Sequence, residues 1–270
     1  MESYFAAAVQ MTSTADLEAN LEVAYEFVGI AARRGARLVT LPENFAFLGL
    51  EAEKLEQAAR IAERSEKFLH TAARDWQVTL LGGGYPTPAE GTAKCYNTAL
   101  LVGPDGSELG RYRKLHLFDV NLPDGNTYRE SDSVVPGHEL VVVRTPALGN
   151  IGLSVCYDLR FPELYRALSA QGAQVLTVPS AFTAFTGKDH WRVLLRARAI
   201  ENTCYVIAAA QTGEHYARRQ TYGHALIIDP WGNMLADAGD TPGMAIAEID
   251  PGRLAQVRRQ LPVLQHRQLP

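Results

Sequence analysis

Short apolar runs alternate with longer stretches of helical apolar period along nearly the whole chain, and this rhythm limits the fold more than any single residue does. Tyr4–Gln10 reads as a strand. Asp16–Arg34 then places Leu17, Leu21, Tyr25, Val28 and Ala32 on one helical stripe, with Asp16 as its start and Gly35 as its stop. Arg37–Leu41 is a short apolar strand, helical patterning returns around Arg60–Trp76, and Val78–Gly83 is a further strand. Asn97–Val102, the turn Gly103-Pro104-Asp105-Gly106 and Glu108–Tyr112 signal a hairpin, so the sheet is mixed. The second half repeats these features. Val141–Thr145, Ile151–Val155 and Val175–Pro179 read as strands, with helices over Pro162–Gln171 and His190–Glu201. Tyr205–Ala210, Gly223–Asp229, the turn Pro230-Trp231-Gly232-Asn233 and Met244–Ile249 complete a second strand set with its own hairpin. Two such sheets, packed face to face with helices outside, make a four-layer α-β-β-α sandwich. A single doubly wound sheet fits the same periodicity.

The 270 residues, 47% hydrophobic, suffice for one large α/β domain spanning 1–270. A formal net charge of −4 without a basic run argues against nucleic acid or an anionic membrane as partner, leaving a small-molecule substrate. Met1-Glu2-Ser3-Tyr4-Phe5 lacks the basic and apolar regions of a signal peptide, and no apolar stretch reaches membrane-spanning length, so a cytoplasmic location is expected. The three cysteines, Cys95, Cys156 and Cys204, are too far apart for a CxxC pair and odd in number, which fits free thiols in a reducing compartment.

Gly82-Gly83-Gly84-Tyr85 lacks the Lys-Ser/Thr of a phosphate loop and does not fit the dinucleotide fingerprint, and no H-E-x-x-H pair is present. What remains stands at strand ends. Cys156 closes the apolar run Ile151–Val155 and opens a turn toward a helix, where unpaired backbone N–H groups favour a thiolate and can hold an oxyanion. Glu43 follows the strand that Pro42 terminates, and Lys114 leaves the hairpin in Arg111-Tyr112-Arg113-Lys114-Leu115-His116-Leu117. Taken singly, these are equally a packed thiol, a solvated carboxylate and a surface cation.

Pro42-Glu43-Asn44, Arg113-Lys114-Leu115-His116-Leu117-Phe118-Asp119 and Cys156-Tyr157-Asp158-Leu159-Arg160-Phe161-Pro162-Glu163, in this order and spacing, resemble the signatures of the nitrilase superfamily of carbon–nitrogen hydrolases. The resemblance continues through Pro179-Ser180-Ala181-Phe182, Gly187-Lys188-Asp189-His190-Trp191 and Tyr222-Gly223-His224. It implies the α-β-β-α sandwich and a Glu–Lys–Cys triad of Glu43, Lys114 and Cys156, with Glu130 beside it as a positioning carboxylate. In that chemistry Lys114 and the backbone N–H of Tyr157 hold the oxyanion. No metal or organic cofactor is expected. Similarity to the Nit branch implies that Arg160, Phe182 and Thr186 receive a 2-oxo acid end; Arg160 paired with Asp158 or Glu163 is the other reading of that residue. The expected reaction is hydrolysis of a 2-oxo-glutaramyl amide, deaminated glutathione giving 2-oxoglutarate and cysteinylglycine, with ω-amidase action on 2-oxoglutaramate as the alternative and a non-enzymatic interaction module as the reading from another class. Arg218 and Arg219 are either surface arginines or cations at the mouth of the pocket. Family members associate, so a homodimer or homotetramer is expected.

Overall fold

The first strand shows how the layers are built. In β1 (Tyr4–Met11), Tyr4, Ala6 and Ala8 join one buried cluster while Ala7, Val9 and Met11 join another. A strand buried on both faces at a period of two belongs to a sheet covered on both sides. The computed structural model describes residues 1–123 and 125–268, so position 124 and the last two positions of the expected 1–270 domain lie outside the described residues.

After β1 come α1 (Leu17–Arg33), β2 (Ala36–Thr40), α2 (Glu51–Glu56), α3 (Ala58–Trp76), β3 (Thr79–Pro88), β4 (Cys95–Val102), β5 (Glu108–Arg113), β6 (Asp119–Asn121) and β7 (Thr127–Arg129). The second half continues with β8 (Val142–Thr145), β9 (Gly149–Leu153), α4 (Pro162–Ala170), β10 (Val175–Thr177), α5 (Ala184–Asn202), β11 (Tyr205–Ala208) and β12 (Ala210–Glu214). It ends with β13 (Gln220–Tyr222), β14 (Leu226–Ile228), β15 (Met234–Asp237), β16 (Gly243–Ile249) and α6 (Pro251–Gln260).

One sheet runs β13-β12-β1-β2-β3-β4-β5, with β16 also on β1; the other runs β15-β14-β11-β10-β9-β8. Both are mixed. In the first, β1, β2 and β3 are parallel and β4 and β5 turn back as the expected hairpin. In the second, β9, β10 and β11 are parallel between antiparallel flanks. Leu81, Leu101 and Tyr112 of the first sheet share a cluster with Ile151, Leu153 and Val175 of the second, and the other face of that sheet, with Leu176, packs on Leu168 of α4. The opposite face of the first sheet packs on Leu21 and Val28 of α1 and Leu69 of α3. These layers are the α-β-β-α sandwich. The single doubly wound sheet is overturned, because one apolar layer is shared between two sheets.

The two sequence halves do not map onto the two sheets. Met244–Ile249, which the sequence order places with the second strand set, pairs instead antiparallel with β1, from Tyr4↔Ile249 to Gln10↔Gly243. The hairpin partner of β14 is β15, whose Met234 and Leu235 are exposed and give no buried-strand pattern. Helix α5 starts at Ala184, after the extended residue Thr183, rather than at His190. Helix α2 is short and polar, without a stripe to reveal it. No helix among the described residues is long and apolar enough to cross a membrane.

The run Gly82-Gly83-Gly84 serves packing. A Cβ on Gly83 would lie 2.1 Å from Cβ of Pro179, just beyond β10 of the other sheet, and 2.5 Å from the carbonyl oxygen of Leu41. Gly84 has φ +58 and leaves room for Glu43 and Asn97. Gly83→Ala is therefore expected to destabilise the protein by roughly 1–3 kcal/mol, read as a lower denaturant midpoint at unchanged m-value. An unchanged midpoint would mean that the sheets are not held this close.

Candidate active site

Strand ends deliver the three candidate groups to one place. Pro42 ends the β2 strand and Glu43 follows, with Asn44 N–H donating to the Gly84 carbonyl at 2.7 Å. Lys114 follows β5, its N–H bonded to the carbonyl of Asn97 on β4 at 2.9 Å. Cys156 follows β9 and opens a 3₁₀ turn, Cys156–Arg160, with its N–H on the Pro179 carbonyl at 2.9 Å. Its φ of +49 places a non-glycine residue in the left-handed region. Fully buried Asp158 holds that turn: Oδ2 accepts from Val155 N–H (2.8 Å) and Tyr112 Oη (2.7 Å), and Oδ1 from His116 N–H (3.1 Å). His116 Nδ1 lies 2.7 Å from the same Oδ1, and its ring stacks on Phe161 at 3.7 Å.

At the centre Lys114 is 2% exposed, which excludes a surface charge. Its Nζ donates to Oε1 of Glu43 (3.0 Å) and to Oε1 (3.0 Å) and Oε2 (2.9 Å) of Glu130. Burial alone would discharge this amine; the carboxylates of Glu130 and Glu43 reverse that and hold it well above the ordinary lysine value. Burial likewise opposes the charge of Glu43. Lys114, a hydrogen bond from the Cys156 thiol and the Ala181 N–H (3.0 Å) outweigh it and bring Glu43 down to about 2. For Cys156, burial and the neighbouring Glu43 charge raise the thiol well above its ordinary value, with Lys114 opposing. The resting site therefore contains a neutral thiol beside an ionised carboxylate, not a preformed thiolate.

A cavity of about 230 Å³ opens over these groups. Glu43, Lys114, Glu130 and Cys156 line its floor. Tyr157, Arg160, Phe182 and Thr186 line it as well, so every site residue expected from the sequence is brought together. Arg160 lies 5.0 Å from the Phe182 ring centroid, and its Nη1 is 3.2 Å from His190 Nδ1. Neither Asp158 nor Glu163 takes it, since Asp158 is spent on the Cys156 turn. Among the described residues Arg160 has no ion pair. Thr186 Oγ1 bonds Thr183 Oγ1 at 2.8 Å.

Sequence reasoning missed Asn97. Its Nδ2 donates to Oε1 of both Glu43 (2.9 Å) and Glu130 (3.1 Å), tying the two carboxylates that share Lys114. A buried asparagine in a strand that is apolar from Ala99 to Val102 was the available signal. Gln211 was missed as well; it donates to the Glu43 carbonyl at 3.1 Å and anchors that loop from β12.

An α-β-β-α sandwich that gathers a thiol, two carboxylates and an ammonium under one cavity defines the nitrilase-fold class of hydrolases. A model of the carbon–nitrogen hydrolases matches residues 5–259, and the chain belongs to that family. It is 65% identical over 269 residues to a deaminated glutathione amidase of Synechocystis sp., covering 99% of each chain. The crystal structure of the Caenorhabditis elegans NitFhit protein superposes with a TM-score of 0.93 at 41% identity, covering 99% of this chain and 66% of that longer one. An amidase from Nesterenkonia sp. AN1, 29% identical with TM-score 0.80 over 96% of this chain and 98% of its own, was solved after Michael addition of acrylamide at its active-site cysteine.

Two outcomes follow from the charges. Glu43 is ionised down to about pH 2 when folded, against an ordinary value of 4.5. Its contribution to stability is thus present above 4.5 and lost as the pH falls from there toward 2. Denaturant midpoints measured from neutral pH downward are expected to fall less steeply in Glu43→Gln than in the wild type. Equal slopes would mean that Glu43 is not held charged. The wild-type minus Cys156→Ala ultraviolet difference spectrum is expected to lack thiolate absorbance at neutral pH; a thiolate band there would contradict the resting state described above.

Proposed function

We propose that this protein is an amidase that hydrolyses the amide of a 2-oxo-glutaramyl compound, with deaminated glutathione as substrate and 2-oxoglutarate and cysteinylglycine as products. The observation that carries this reading is the sharing of buried Lys114 between Glu43 and Glu130 beside the Cys156 thiol, beneath a cavity lined by Arg160, which has no ion pair among the described residues. The 65% identity to a curated deaminated glutathione amidase supports the same substrate.

In this mechanism Sγ of Cys156 attacks the amide carbonyl while its proton passes to Glu43. The oxygen that becomes negative is held by Lys114 and the N–H of Tyr157. Collapse breaks the C–N bond, Glu43 gives its proton to the departing amine, and a thioester on Cys156 remains. Glu43 then takes a proton from water as that water attacks the thioester, and returns it to the thiolate as the acid leaves. Glu130 keeps the Lys114 ammonium in place, through two hydrogen bonds that leave the Glu43 bond intact. The 2-oxo acid end lies against Arg160, Phe182 and Thr186, whose guanidinium and hydroxyl suit a carboxylate and a ketone. We further propose that residues 1–270 act as one hydrolase domain, in the cytoplasm, as a homodimer or homotetramer.

Initial rates on deaminated glutathione and on 2-oxoglutaramate decide the substrate. A higher kcat/KM on the former is expected, and a clear preference for the smaller amide would replace it with the ω-amidase reading. Cys156→Ala is expected to lose activity by about a thousandfold or more, and wild-type rates in that variant would overturn the assigned nucleophile.

A further inference from the structure

The cavity is more positive than the reaction centre requires. Lys114 is matched by Glu43 and Glu130, and Lys54 by Glu51 at 2.6 Å. Three arginines remain on the lining, Arg129, Arg160 and Arg219, so five cations face three carboxylates. This excess of two positive charges lies inside a chain of net charge −4. Arg129 is occupied structurally: it donates to the carbonyls of Val120 and Tyr128 and to Asn121 Oδ1, holding β6 against β7. The other two have no ion pair among the described residues.

Arg160 belongs to the turn that carries Cys156. Arg219 comes from another part of the fold, the segment entering β13. Arg218 beside it is exposed, so the surface reading holds for that residue and not for Arg219. The guanidinium carbon of Arg219 lies 5.6 Å from the centroid of Tyr128, and Nη1 reaches Tyr216 Oη only at 3.4 Å. Its Nε is buried without a hydrogen-bond partner. A buried guanidinium nitrogen without an acceptor is costly, and a ligand carboxylate near the rest of the fork repays part of that cost. The segment is well fixed. Arg219 N–H donates to Tyr216 (2.9 Å), its carbonyl accepts from His215 (2.8 Å), and His215 bridges Ser13 and Thr221 at 2.8 and 2.7 Å. Through β12 the same unit reaches the Glu43 loop. Such a cation is preorganised relative to the reaction centre.

We propose that Arg219 binds the far carboxylate of the substrate's leaving half, making the cavity selective for amides that carry an anionic group at each end. This rests on the reading under Proposed function: Arg160 takes the 2-oxo acid end, and Arg219 the terminal carboxylate of the departing dipeptide. It accounts for both surplus charges and for two arginines on separate elements. It also separates the two amides considered above, because 2-oxoglutaramate has nothing to offer Arg219.

The test compares deaminated glutathione with its C-terminal glycinamide, which keeps the scissile bond and loses only the far charge. Wild-type kcat/KM is expected to be about 10- to 100-fold higher for the acid, the range for one charge-assisted contact. In Arg219→Gln that ratio is expected to collapse toward unity, and in Arg219→Lys to be partly restored. A wild-type ratio near unity overturns the proposal without any variant being made. So does an Arg219→Gln enzyme that slows on both substrates at an unchanged ratio, which marks Arg219 as a structural support of its loop. If the wild type hydrolyses neither compound, the functional reading itself fails and the proposal with it, an outcome distinct from hydrolysis without discrimination.

Discussion

The contact on which the site depends is the buried ammonium of Lys114 between two carboxylates. Removing three charges from water costs several kcal/mol for each ion, and attraction offsets this only where the remaining lone pairs are also satisfied. Here they are. Glu43 has Ala181 and Asn97 as further donors, and Glu130 has Phe118 N–H at 2.7 Å as well as Asn97. These donors come from β4, from the stretch after β5 and from the segment beyond β10, so the charges persist only if both sheets are in register. A mixed first sheet is part of this requirement, because the β4–β5 hairpin sets the Lys114 N–H on the Asn97 carbonyl while Glu43 follows the end of the parallel β2.

The second constraint is backbone strain. A cysteine at φ +49 costs about 1–3 kcal/mol and survives only where its surroundings determine it. Asp158 supplies that determination, joining the turn to Tyr112 on β5 and to His116 just beyond Lys114. One carboxylate therefore couples the backbone of the thiol to the strand that presents the ammonium. The thiol itself stays protonated at rest, so its reactivity arises as its proton passes to Glu43 rather than from a standing charge.

Much of this was legible in the chain. Glu43, Lys114 and Cys156 each follow an apolar strand, and strand ends are where a sandwich exposes side chains to a common cavity. The helices α1, α3 and α4 and the first hairpin carry clear stripes and turn residues. Other features depend on contacts between distant segments. Asn97 acts across 54 residues to Glu43 and Arg219 faces a cavity built largely by other segments. Strand β16 has the same alternation whichever sheet it joins, so its periodicity carries no information about its partner. In the sequence Asp158 stands out only as a neighbour of Arg160; its role follows from the turn geometry, which no spacing discloses.

The pairing of β16 with β1 bears on how the protein is made. The first strand and one of the last form a single antiparallel ladder, and Gln211, which steadies the Glu43 loop, also lies late in the chain. A ribosome that has synthesised the Cys156 turn has not yet supplied the segment that completes the neighbouring sheet. Emerging chains thus carry the thiol on a half-assembled scaffold, with an apolar edge of β1 uncovered. The ladder closes only once residue 249 has been made, so the complete site comes late in synthesis.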